Sequence, residues 1–93
     1  MQVEWDDPEK AQKNVAKHGV SFDEVWTVFG DSLAVTIDDP DHSHDEQRYL
    51  TTGLSERSRL IIVAHTEGAG RVRIISARDV TATERTEYEA GEG

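Results

Sequence analysis

The hydrophobic pattern changes period once along the chain. Over residues 8–29 apolar side chains recur at helical spacing, and over residues 33–78 they alternate as in strands. Asp6-Asp7-Pro8 sets an acidic cap before a proline, so a first helix is predicted over 8–18. Its inner stripe is Ala11, Asn14 and Val15, its outer one Lys10, Lys13 and Lys17, and Gly19 is the left-handed residue that ends it. Ser21-Phe22-Asp23-Glu24 has the form of a capping box, with Ser21 accepting from the third helical amide and Glu24 reaching back. It opens a second helix that carries Phe22, Val25, Trp26, Val28 and Phe29 up to Gly30. By position Trp5 and Trp26 both read as core residues.

Alternation predicts strands over 33–37, 47–54, 59–66 and 71–78. Short turns at 55–58 and 67–70 make an antiparallel meander the simplest connection, and the acidic link at 38–45 reads as an exposed loop. Val3-Glu4-Trp5 is a further short strand candidate. Thr81-Ala82-Thr83-Glu84 repeats the capping-box pattern and begins a last helix running through Tyr88. The expected fold class is α+β: two N-terminal helices packed on an antiparallel sheet of about four strands, plus a C-terminal helix. Residues 1–93 are expected to form a single domain.

Composition narrows the chemistry. With no cysteine the chain has no disulfide, thiolate metal site or cysteine nucleophile. No apolar run approaches the roughly 20 residues of a membrane span. Met1-Gln2-Val3-Glu4 lacks a charged start followed by an apolar stretch, so a cytoplasmic protein without a membrane partner is expected. The formal charge of −9 argues against a nucleic-acid partner, but the charge is unevenly spread. Residues 48–78 hold six Lys or Arg against two acids, whereas residues 1–47 hold three against twelve. Salt screens repulsion beyond about 8 Å, so a local basic patch can still bind phosphate while a distant acidic face docks a basic partner.

The basic residues concentrate in Arg71-Val72-Arg73-Ile74-Ile75-Ser76-Ala77-Arg78. Alternation points Arg71 and Arg73 the same way, and Arg78 joins them only if a bend or bulge intervenes. Glu46 and Arg48 share parity, which sets a carboxylate beside a guanidinium. Such a pair can take a proton and neutralise a phosphoryl oxygen, the two tasks required when a ribose 2′-hydroxyl attacks its own phosphodiester; taken alone, it reads first as an incidental surface ion pair. His65 alternates with Ile61 and Val63 and is either a satisfied core histidine or a general acid. His18, at a helix C-terminus, reads first as structural. His42 and His44 lie in an acidic loop with no framework to fix metal donors, so no metal site and no cofactor are expected. No Gly-x-Ser-x-Gly turn supports a serine nucleophile.

Taken in order, Trp5-Asp6, Lys10, Asn14, Lys17-His18-Gly19-Val20-Ser21-Phe22, Val28-Phe29, Asp41 followed by Glu46-x-Arg48, Gly53-Leu54-Ser55 and Arg73-Ile74-Ile75-Ser76-Ala77-Arg78, with Glu84 and Tyr88, resemble the BrnT toxins over nearly the whole chain. That resemblance implies a RelE-like fold, a type II toxin–antitoxin toxin, and metal-independent endoribonuclease activity that inhibits translation. It implies a BrnA-like antitoxin as partner, forming a hetero-oligomer that covers the active face and touches operator DNA only through the antitoxin. Carried over, Glu46, Arg48, Arg73 and Arg78 match the family's charged positions. The expected site is then Arg48, Arg73 and Arg78 on the scissile phosphate and Glu46 or His65 moving protons, with Lys17, His18, Arg59 and Arg71 binding the RNA strand. The alternative is a toxin-fold binding module without catalysis that pairs with a DNA-binding antitoxin to regulate their operon.

Overall fold

In the computed structural model, which describes residues 2–39 and 47–90, the order is β1 (Gln2–Trp5), α1 (Pro8–His18), α2 (Phe22–Val28), β2 (Val35–Asp38), β3 (Arg48–Leu54), β4 (Leu60–Gly68), β5 (Arg71–Asp79) and α3 (Ala82–Glu89). The caps form as the residue types dictate. The Asp7 side chain accepts from the Glu9 amide at 2.9 Å, Pro8 follows it, and Gly19 closes α1 at φ 67° while its amide donates to the Val15 carbonyl. Ser21 accepts from the Glu24 amide at 3.3 Å, but the Glu24 carboxylate turns away to Ser55 and Arg59, so this box is only half made. At Thr81 both halves are present.

The five strands form one mixed sheet in the order β1-β5-β4-β3-β2. This corrects the expectation of about four antiparallel strands: β1 joins the edge parallel to β5, with Val3 opposite Val72 and Glu4 opposite Arg73. Two segments some seventy residues apart meet there, and neither carries a local signal of the pairing. The remaining pairs are antiparallel as expected. β2 starts at Val35 rather than at Leu33, because the Asp31 side chain accepts from the Leu33 amide at 3.0 Å and its carbonyl from the Ala34 amide at 3.1 Å, holding 31–34 as a turn. Leu33 is left 75% exposed.

Both helices of the N-terminal half cover one face of the sheet, where Val20, Val25 and Val28 pack with Val3, Ile61, Val63, Val72, Ile74 and Ala77. A β-bulge makes that set possible. Ala64 lies opposite Ser76 and His65 opposite Ile74, leaving Ile75 as an extra residue in β5. Val72 and Ile74 before it and Ala77 after it therefore all turn inward, although strict alternation would send Ala77 to the other side. Gly53 lets α2 approach β3 closely: a Cβ there would lie 3.0 Å from Ala34 Cβ and 3.1 Å from Val28 Cγ1.

Two expected core positions lie outside the core. Trp26 is 49% exposed and Val15 46%. In α2 the inward positions go to Val25 and Val28, and in α1 to Asn14. One residue further along a helix is about 100° of rotation, enough to carry Trp26 and Val15 to the rim. Asn14 is buried because both ends of its amide are used: Nδ2 donates to the Val20 carbonyl at 3.2 Å, and Oδ1 accepts from the Ala77 amide, near the bulge, at 3.0 Å. Asn14→Ala strips both partners at once, so we expect a loss of about 2 kcal/mol, read as a lower urea midpoint at unchanged slope.

Candidate functional site

The second face of the sheet carries the cations. Directly opposed residues on neighbouring strands share a face, and the register aligns Glu4 of β1 with Arg73 of β5, Arg73 with Thr66 of β4, and Thr66 with Arg48 of β3. The result is a row of carboxylate, guanidinium, hydroxyl and guanidinium, one strand spacing of about 4.8 Å apart at the backbone. Arg71 sits two residues along from Arg73 on the same face, opposite Gly68. Beside the row, at the β4–β5 turn, a depression of about 370 Å³ is lined by Gln47, Thr66, Glu67, Gly68, Ala69, Arg71 and Arg73. The turn is tight because Ala69 and Gly70 both take positive φ, 53° and 74°, as a two-residue hairpin requires.

Ion pairing sorts the arginines. Glu4 Oε1 lies 3.9 Å from both Arg71 Nη1 and Arg73 Nε, contacts too long for hydrogen bonds between side chains that remain half exposed. Arg78 shares their face, as the bulge allows, but it stands roughly 15 Å further along β5. It is held there by Glu84 through two bonds of 2.8 and 3.0 Å, and its guanidinium pulls the Glu84 carboxyl down to about 2. Arg59 is committed to the other layer. Its Nε donates to Glu24 Oε2 at 2.8 Å, its Nη2 to Glu24 Oε1 and, at 2.8 Å, to the Gly19 carbonyl; the Ser55 hydroxyl completes the cluster at 2.7 Å. That guanidinium holds the buried Glu24 carboxyl below the usual carboxylate range. Lys17 and His18 precede Gly19 at the end of α1 and so belong to the Arg59 end of the molecule.

The expected site residues thus divide. Arg48, Arg71 and Arg73 come together at the turn end of the open face. Lys17, His18, Arg59 and Arg78 lie toward the other end, with Arg59 and Arg78 joined to carboxylates. Glu46, like His42 and His44, lies outside the described residues. His65 is fully buried on the helix-covered face, across the sheet from Arg73. Its Nε2 shares a 2.7 Å hydrogen bond with the Thr51 hydroxyl, which bonds that of Thr36 in turn, and Phe29 meets the ring edge-on while Tyr49 stacks on it. The ring is buried among core neighbours on the face opposite Arg73, but only its Nε2 is hydrogen-bonded: among the described residues Nδ1 has no hydrogen-bond partner, with the Glu67 carboxylate 3.7 Å away. Glu4 and Thr66 were not singled out from sequence. The period-2 alternation of β4 offered Thr66, but nothing local to Glu4 announces its parallel alignment with Arg73.

Among the described residues no group of three or more His, Asp or Glu side chains is placed to hold a metal ion, and no helix is long and apolar enough to cross a membrane. Residues 5–84 match the profile of the family described as "Ribonuclease toxin, BrnT, of type II toxin-antitoxin system". No curated protein matches by sequence. Among solved structures the chain resembles the Brucella abortus ribonuclease toxin BrnT, known at 1.1 Å resolution, with a TM-score of 0.61 and 21% identity over 87% of this chain and 99% of that one. At that identity the likeness speaks for the shared α+β fold.

His65 gives the fold a pH signature. Burial pushes its pKa from the usual 6.5 down to about 4, so below pH 6.5 the unfolded chain binds a proton that the folded one refuses. The contribution is complete above pH 6.5 and is lost as pH falls toward 4. From pH 7 to pH 5 it should remove about 2 kcal/mol of stability. Urea midpoints at the two pH values should show that loss in wild type and a smaller one in His65→Gln.

Proposed function

Because the chain belongs to the BrnT family of ribonuclease toxins of type II toxin–antitoxin systems, we propose that it is a metal-independent endoribonuclease that cuts RNA on the open face of its sheet and so inhibits translation. The observation that carries this reading is the row that brings Arg73 and Arg48 to either side of Thr66, with Arg71 next to it. Two guanidinium groups flanking one hydroxyl can take the non-bridging oxygens of a single phosphodiester. Arginine suits the task because it stays charged at any working pH and offers paired donors matched to phosphate oxygens. The reaction is transesterification: the 2′-oxygen bonds to phosphorus, the bond from phosphorus to the 5′-oxygen breaks, and the products are a 2′,3′-cyclic phosphate and a 5′-hydroxyl. Negative charge grows on the phosphoryl oxygens in the transition state, which is where preorganised positive charge acts.

The partner is an antitoxin of the BrnA kind, in a hetero-oligomer that covers the cationic row and reaches operator DNA only through the antitoxin. The compartment is the cytoplasm. Arg78, tied to Glu84, serves here as an anchor for α3, and Lys17 and His18 are left to outlying contacts with a long RNA.

A second reading has one observation in its favour. Arg59 and Arg78 are neutralised by Glu24 and Glu84, and Glu4 stands before Arg71 and Arg73, so the basic segment is less basic than its sequence. On that reading the open face only receives an acidic antitoxin segment, and the chain acts in operon regulation without cutting RNA.

Incubating the purified protein with RNA in excess chelator separates the two. Cleavage is expected, and Arg73→Ala should slow it by about 100-fold or more while leaving the urea midpoint near that of wild type. RNA left intact at every protein concentration selects the binding module.

A further inference from the structure

We propose that Glu4 is the general base of the site: its carboxylate accepts the proton of the attacking 2′-hydroxyl. This rests on the ribonuclease reading above and assigns the proton transfer that reading leaves open.

Position is the first argument. Glu4 ends the row Glu4–Arg73–Thr66–Arg48 on the edge strand β1. A phosphate centred between Arg73 and Arg48 would put one neighbouring ribose over β1, and beyond β1 the sheet is open, which leaves room for the sugar and its base. One oxygen of Glu4 takes both long contacts with Arg71 and Arg73, so the carboxylate lies next to the phosphate-holding groups without being clamped by them.

The second is that three other described carboxylates, Glu24, Glu84 and Glu67, are each engaged elsewhere. A general base must be ionised, within reach of the hydroxyl, and able to take up a proton. Glu24 is buried on the helix-covered side and hydrogen-bonded to Arg59 and Ser55. Glu84 is bonded to Arg78 and resists protonation down to about pH 2. Glu67 lines the depression, but its register pairs it with Val72, and its carboxylate lies 3.7 Å from His65 Nδ1 on the other side of the sheet. Glu4 is the carboxylate that shares the face of Arg73, touches its guanidinium and makes no short hydrogen bond.

The proton count closes. As the 2′-oxygen bonds to phosphorus its proton passes to Glu4; as the bond to the 5′-oxygen breaks, that oxygen takes a proton from water; and Glu4 returns its proton to solvent before the next turnover. Arg71 and Arg73 face Glu4 from the neighbouring strand, and an incoming phosphate competes with it for them.

The test uses a single-stranded RNA oligonucleotide in chelator. Glu4→Gln keeps the shape and removes the basic oxygen. Its kcat should fall by about 100-fold or more, its KM should stay or drop because a negative charge has left the face, and the acid limb of its pH–rate profile should vanish. Glu4→Asp should keep that limb at a reduced rate, and Glu87→Gln, the same charge change on exposed α3, should behave as wild type. A Glu4→Gln protein that cleaves as fast as wild type with the acid limb intact overturns the proposal, and so does Glu46→Gln abolishing cleavage while Glu4→Gln does not. A wild type that cuts no RNA sinks the ribonuclease reading and takes this assignment with it, a result distinct from an active wild type with an active Glu4→Gln.

Discussion

The extra residue in β5 is the constraint on which both faces of the sheet depend. Without the bulge opposite Ala64 and His65, β5 would face a conflict: turning Val72 and Ile74 inward would turn Ala77 outward and Arg78 into the core. An unpaired guanidinium under the helices costs far more than one disrupted rung of the ladder. With the bulge, three apolar side chains of one strand reach the core and three arginines reach the open face. The irregularity also lies close to where the Asn14 amide binds the Ala77 backbone, so α1 is anchored to the strand at the place where the ladder changes phase.

Charge in this molecule is allocated rather than averaged. At one end Arg59 joins the β3–β4 turn, the start of α2 and the end of α1 through Glu24, Ser55 and the Gly19 carbonyl. At the same end of the sheet, on the opposite face, Arg78 ties β5 to α3, whose far end is held by Tyr88 against Asp31 and the Leu33 carbonyl. These arginines are structural fasteners. Among the described residues the turn end of β4 and β5 has no such short pair on Arg71 or Arg73, whose guanidinium groups meet only the long contacts of Glu4. A buried or bidentate pair is insulated from solvent, whereas the long contacts of Glu4 are exposed and easily exchanged for a ligand oxygen.

Local chemistry made the helices legible. Pro8 and Gly19 bracket α1 and Thr81 with Glu84 opens α3, because caps and left-handed stops act within a few residues. Alternation likewise showed β3, β4 and β5 and the tight turn between the last two. What stayed hidden was of longer range. Nothing within Gln2–Trp5 says that it lies parallel to a strand nearly seventy residues later, and so Glu4 could not be set beside Arg73. The need for a bulge before Arg78 followed from parity, but the Glu84 that occupies Arg78 lies beyond the strand. Trp26 looked like core by residue type, and only the orientation of α2, fixed by Val25 and Val28, sends it to the surface. For His65, alternation set it on the side of Ile61 and Val63, and its full burial there follows from which face the helices cover.

At Gly53 the absence of a side chain sets the spacing between layers. Val28 and Ala34 occupy the volume that a methyl group would claim, so α2 rides closer to β3 than any other residue type would permit. Phe29, which meets the buried imidazole edge-on, follows directly after α2. A methyl group at Gly53 would have to push α2 and the 31–34 turn away from β3, the strand whose Thr51 and Tyr49 hold the imidazole, so a side chain missing at one end of β3 bears on the packing of the histidine near the other.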